Sequence, residues 1–177
     1  MKKSLPLLLG LGLLVSTYPQ THAQSMEEET VLAALGLNIV RFTTWPADAQ
    51  FQRKTTLDFC VVGDNVVQQS FASISNKAIG QKSLNVINLT RLRNLEQCNV
   101  LYISELKQNI LLQLLAEIRT QPLLTIGKGE EFAAQGGMIG LENVDGKITM
   151  HINLSVVQES NLNISARLLK LAKIIGN

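Results

Sequence analysis

Histidine is nearly missing from this chain of 177 residues, which has two, and cysteine is equally scarce. His22 falls in an N-terminal segment that reads as a removable leader, which leaves His151 as the lone imidazole beyond it. One histidine and two cysteines on separate elements, Cys60 and Cys98, match no usual zinc spacing, so no metal site is expected. No G-x-S-x-G elbow for a serine hydrolase and no Walker A lysine occur. Without a C-x-x-C pair, thioredoxin-like exchange has no support. Charged residues make up only 17% and form no basic stripe interleaved with aromatics, so nucleic acid is not an expected partner. There is no internal repeat, no low-complexity tract and no apolar run near the roughly 20 residues of a membrane span. Together these absences favour a binding module, without cofactor, over an enzyme.

The N-terminus sets the expected compartment. Lys2 and Lys3 precede an apolar run from Leu5 to Val15, and Thr21-His22-Ala23 offers small residues at −3 and −1 of a cleavage site. This is the pattern of a secretory signal peptide over residues 1–23, with Gln24 as the mature N-terminus. An uncleaved anchor is the alternative, but eleven residues cover only about half of a hydrocarbon core. Losing the leader removes two lysines and no acid, so the formal charge falls from +2 to zero. Residues 24–177 suit one domain large enough to bury a core, and 46% hydrophobic content argues against disorder. In an oxidising compartment Cys60 and Cys98 are expected to be bridged; two buried free thiols are the other reading.

Periodicity supplies the fold class. Ser25 is a candidate N-cap for a helix through Val31, Leu32, Leu35, Ile39, Val40 and Phe42, which Trp45-Pro46 is expected to stop. Strand and helix patterns then alternate. Leu57–Val62, Leu84–Leu89, Asn99–Ser104 and Pro122–Ile126 read as strands; Val66–Ser73, Glu105–Arg119 and a turn at 130–134 read as helical. Asp145-Gly146 between two apolar runs predicts a β-hairpin. A final helix is expected from Ser165 to Ile175. The pattern predicts a single α/β domain: a largely parallel, doubly wound sheet with a late antiparallel hairpin and flanking helices.

The remaining candidates are weak singly. His151 alternates with Ile148, Met150 and Ile152, so it is expected to face outward or to be a hydrogen-bonded surface residue. Gly127-Lys128-Gly129 is a partial dinucleotide fingerprint with Phe132 where a third glycine belongs. Gly63-Asp64-Asn65 follows the first strand of the body, where such folds bind ligands, though a structural turn reads as well. Either Phe42 and Trp45 simply pack on the core, or the helix end with Arg41 and Trp45 forms part of a dimer or partner surface, since arginine and aromatic side chains are frequent anchors. Arg167 on the last helix is a third candidate for that surface.

Taken in order, several segments resemble the YfiR family of periplasmic proteins. They are Ile39–Pro46, Leu57–Asp64 with Cys60, Cys98–Ser104, Pro122–Ile126, Phe132–Leu141, Ile152–Leu154 and Ile164–Leu169. The resemblance implies a periplasmic repressor that contacts the periplasmic sensor domain of a YfiN-type membrane-bound diguanylate cyclase. By lowering cyclic-di-GMP it would limit biofilm formation. It further implies sequestration by a YfiB-type outer-membrane lipoprotein, a homodimer, and a disulfide joining Cys60 to Cys98. A further cysteine pair found in some relatives has no counterpart here. The alternative class is a periplasmic small-ligand-binding protein, with its pocket near Gly63-Asp64 or beneath Arg41 and Trp45.

Overall fold

The computed structural model describes residues 21–47 and 54–176. Residues 1–20 of the expected leader and most of the polar segment before the first long strand lie outside them. In chain order the elements are α1 (Thr21–Arg41), β1 (Thr43–Thr44), β2 (Thr56–Val62), α2 (Asn65–Ala72), β3 (Ala78–Ile79), β4 (Lys82–Asn88), β5 (Val100–Ile103), α3 (Gln108–Ile118), β6 (Leu124–Lys128), α4 (Gly129–Ala134), β7 (Ile139–Val144), β8 (Lys147–Asn153), α5 (Leu154–Glu159), β9 (Asn163–Ile164), α6 (Ala166–Leu169) and β10 (Lys173–Ile175). No helix among the described residues is long and apolar enough to cross a membrane.

Eight strands form the main sheet in the order β10-β8-β7-β6-β5-β2-β4-β3. The central run β7-β6-β5-β2-β4 is parallel throughout. Antiparallel strands flank it: β8 beyond β7, and β3 beyond β4. The predicted class is therefore observed, with the late hairpin at one side. Its turn has Asp145 at φ 51° and Gly146 at φ 78°, the left-handed pair that a two-residue hairpin needs.

Alternation along each strand sorts the core into two layers. Leu57, Phe59, Val61, Val100, Tyr102, Leu124, Ile126 and Ile139 share one face with α1 and α2. Cys60, Leu101 and Ile103 share the other with Leu114, Leu115 and Ile118 of α3 and Phe132 of α4. Phe71 stacks against both Phe59 and Tyr102, with ring centroids 5.6 and 4.2 Å apart, which seats α2 on the sheet. Each such pair is worth about 0.5–1.5 kcal/mol beyond its buried area.

Several expectations at the ends of elements need correction. Helix α1 begins before Ser25, so Ser25 is no N-cap, and it stops at Arg41, four residues ahead of Trp45. Thr43 and Thr44 instead pair antiparallel with Ile164 and Asn163, a competing interaction invisible to local periodicity. The expected final helix is only one turn, Ala166–Leu169, capped by Ser165; Lys173–Ile175 become a strand parallel to β8. Leu171 shows why: at 78% exposed it has no core to face, whereas Ile174 and Ile175 join an open sheet edge. On α3, Ile110 is 41% exposed and lies off the buried stripe.

Candidate functional site

The two cysteines meet as predicted. Cys60 on β2 and Cys98 just ahead of β5 form a disulfide with Cα atoms 5.8 Å apart. Parallel pairing of Phe59 with Val100 places them, and Asn99 locks the register. Its side-chain oxygen accepts from the Asp58 N–H at 2.8 Å, and its own N–H donates to the Asp58 carbonyl at 2.8 Å. Asp58, itself buried, takes Asn85 at 2.7 Å and Lys54 at 2.9 Å, so this end of β2 is a closed polar network.

The three candidate partner residues separate into two kinds. Arg41 and Arg167 are exposed; Trp45 is buried within the larger core at 5% exposure. The small ribbon β1–β9 draws the end of α1 and the start of α6 together, and the Ser165 N–H donates to the Phe42 carbonyl at 2.9 Å. The backbone positions of Arg41 and Arg167 therefore fall at one corner, with the exposed Phe42 beside Arg41. The Arg41 guanidinium reaches Asn38 and the Ala78 carbonyl, both at 3.4 Å. Trp45 belongs to the larger core and offers little exposed surface to a partner.

A second feature sits where the sheet reverses. After β2 the chain crosses to β4 by way of α2 on one face; after β5 it crosses to β6 by way of α3 on the other. Loops at the carboxyl ends of β2 and β5 thus diverge, which opens the crevice where doubly wound folds bind ligands. Here it is a cleft of about 420 Å³ that includes Glu29, Asp64, Ser104, Glu105 and Lys128. Asp64 caps α2, its carboxylate accepting the Val67 N–H at 3.0 Å, so Gly63-Asp64 is first a turn. Glu29 descends from α1 and is only 5% exposed. One of its oxygens pairs with Lys128 and the other accepts from the Tyr102 hydroxyl at 3.3 Å. Burial, reinforced by the adjacent carboxylate, pushes the Tyr102 phenol far above its ordinary value. The carboxylate is engaged on both oxygens in the cleft wall.

Phe132 explains part of the partial glycine fingerprint. A Cβ on Gly127 would lie 2.4 Å from the Phe132 ring, and one on Gly137 only 2.2 Å. Gly127 and Gly137 make room for that phenylalanine in the second core layer, while Gly129 adopts φ 78° in a left-handed turn into α4.

Sequence reasoning missed a third feature. His151 is fully buried, because α4 covers the face of β8 that alternation was expected to leave open. Its Nε2 lies 2.9 Å from Glu142 Oε2 and its Nδ1 3.7 Å from Glu130 Oε2. Glu130, Glu142 and His151 form the one group of three potential metal ligands among the described residues. They lie on three elements within 22 positions and share no local motif, so only sheet register and the seating of α4 bring them together.

The domain is thus a largely parallel α/β sheet whose disulfide ties β2 to the start of β5. The chain is a member of the YfiR/HmsC-like family, whose model matches residues 29–173. That family is regulatory and acts in diguanylate cyclase signalling. No curated protein gives a significant match.

Proposed function

We propose that this protein is exported to the periplasm, binds the periplasmic domain of a YfiN-type membrane-bound diguanylate cyclase and represses it. Family membership over residues 29–173 is the observation that carries this reading. The leader-like residues 1–23 and the bridged cysteines support export. Repression by binding requires that the protein favour the cyclase's inactive conformation over the active one. The corner carrying Arg41, Phe42 and Arg167 is the proposed contact: exposed, rich in anchor residue types, and held rigid by β1–β9. A homodimer and sequestration by a YfiB-type outer-membrane lipoprotein complete the proposal. Deleting the gene is expected to raise cyclic-di-GMP and biofilm, and the exported protein to restore both. A version lacking residues 1–23 is expected to fail. Unchanged cyclic-di-GMP in a deletion strain that carries the matching cyclase refutes the proposal.

The cleft over the carboxyl ends of β2 and β5 favours a second reading, a small-ligand-binding protein. Saturating ligand raises the melting temperature of the fold that binds it. A thermal-shift screen in which some compound stabilises the wild type but not an Asp64→Ala, Glu105→Ala variant supports this reading over the first.

A further inference from the structure

Among the described residues, only one ring nitrogen of His151 finds a hydrogen-bond partner, although the side chain is entirely buried. Nε2 faces Glu142 at 2.9 Å. Nδ1 makes no hydrogen bond, and its carboxylate neighbour, Glu130 Oε2, stands 3.7 Å away, too far to accept one. A buried polar atom left in this way is rare and calls for an occupant. When Nε2 carries the proton donated to Glu142, Nδ1 presents a lone pair, the form in which imidazole ligates a metal. A carboxylate on the far ring nitrogen is also the usual means of orienting a metal-bound histidine.

The spacing suits an ion. Two donors about 2.0–2.1 Å from a zinc ion, at a tetrahedral angle, stand about 3.4 Å apart. The observed 3.7 Å is close to that. One potential donor from each of Glu130, Glu142 and His151 lies within 4.8 Å of the other two. The backbone has been shaped to bring them together. Gly140 pairs with His151 across β7 and β8, and a Cβ on it would meet the Gly129 carbonyl oxygen at 2.0 Å. Having no side chain there lets the first turn of α4 settle on the sheet, with Glu130 near the histidine. The carboxylate side is open, since the Glu130 and Glu142 side chains are 57% and 40% exposed.

We propose that Glu130 and His151 Nδ1 bind a divalent transition-metal ion, with Glu142 holding the imidazole and water filling the open positions. Zinc suits this mixed nitrogen and carboxylate set; magnesium and calcium prefer oxygen alone. A bound ion ties α4 to the β7–β8 hairpin.

The test uses untagged protein treated with EDTA, dialysed, and titrated with zinc chloride by calorimetry and thermal melting. One equivalent of zinc is expected to bind and to raise the melting temperature by several degrees, while magnesium and calcium do neither. Glu130→Gln, at an exposed position, keeps the fold and is expected to lose at least tenfold in zinc affinity. Glu142→Ala is expected to weaken binding by about 10–100-fold. Asp145→Asn, on the exposed hairpin turn, is the control and is expected to bind as the wild type does. His151→Asn removes the site but also disturbs a buried position, so Glu130→Gln carries the decision. No zinc binding by the wild type, equal affinity in Glu130→Gln, or an equal loss in Asp145→Asn overturns the proposal.

Discussion

Removing the disulfide is expected to lower stability by about 4 kcal/mol. The bridge closes a loop with a sequence separation of 38, which contains α2, β3 and β4. In the chain-entropy model, a loop of this length restricts the unfolded ensemble by about 4 kcal/mol at 25 °C. The folded side of the equilibrium subtracts little from that figure. Pairing of Phe59 with Val100 and the two bonds between Asp58 and Asn99 already set the separation that the bridge spans. A Cys60→Ala, Cys98→Ala protein keeps those contacts and loses only the cross-link. With a urea dependence of about 2 kcal/mol per molar, its unfolding midpoint falls by about 2 M. The single tryptophan, Trp45, is buried and reports the transition by fluorescence. Cys60 is wholly buried and Cys98 6% exposed, so dithiothreitol can attack only after local opening. Reduction of the wild type is therefore expected to be slow in buffer and to accelerate with urea below the midpoint. A midpoint shift under about 0.5 M, or reduction as fast as that of an exposed disulfide, refutes the reasoning.

Trp45→Ala is expected to cost about 3–5 kcal/mol as a large buried aromatic is lost, read as a melting temperature far below that of the wild type. Arg41→Ala with Arg167→Ala, both exposed, is expected to leave the melting temperature nearly unchanged while repression of the cyclase weakens; intact repression removes the corner from the interface. Gly137→Ala forces a methyl group against Phe132 and is expected to destabilise by about 1–3 kcal/mol, checked by urea titration. In protein beginning at Gln24, Tyr102 is the sole tyrosine, so phenolate absorbance reports it alone. Its folded-state value is raised, so it contributes stability below the ordinary value of 10.0 that is lost as pH rises above it. Absorbance is expected to appear together with alkaline unfolding; a gradual rise centred near pH 10 with the fold intact contradicts the buried pairing with Glu29.

Elements whose character depends on local pattern were legible in the sequence. The β2, β5 and β6 strands are apolar and β-branched, α2 and α3 carry amphipathic periods, and Asp145-Gly146 marks its hairpin by residue type. Cys60 and Cys98 were paired correctly because only two cysteines lie beyond the leader. What escaped depends on distant partners. Thr43-Thr44 becomes a strand only through Ile164, and Ile174-Ile175 only because β8 leaves an edge uncovered. Likewise, alternation put His151 on the side of β8 opposite Ile152, which is correct. Nothing in that period tells that α4 roofs the same side, so the burial of His151 and its meeting with Glu130 could not be read from the sequence. Arg41 and Arg167 could be nominated by residue type, yet their shared corner follows from β1–β9.

That small ribbon also dictates an order of events during synthesis. Thr43 emerges from the ribosome early, but its partner Ile164 follows only about 120 residues later. Until then α1 has no clasp at its carboxyl end, and the apolar side bearing Leu32, Leu37, Ile39 and Val40 has no finished surface to rest on. Long-range closure of this kind is slow compared with helix formation, so a growing chain carries an adhesive helix for most of its production. Such exposed surface invites aggregation and chaperone capture. A nascent chain stalled before Ile164 is therefore a sticky one, because the strand that clasps the end of α1 has yet to be made.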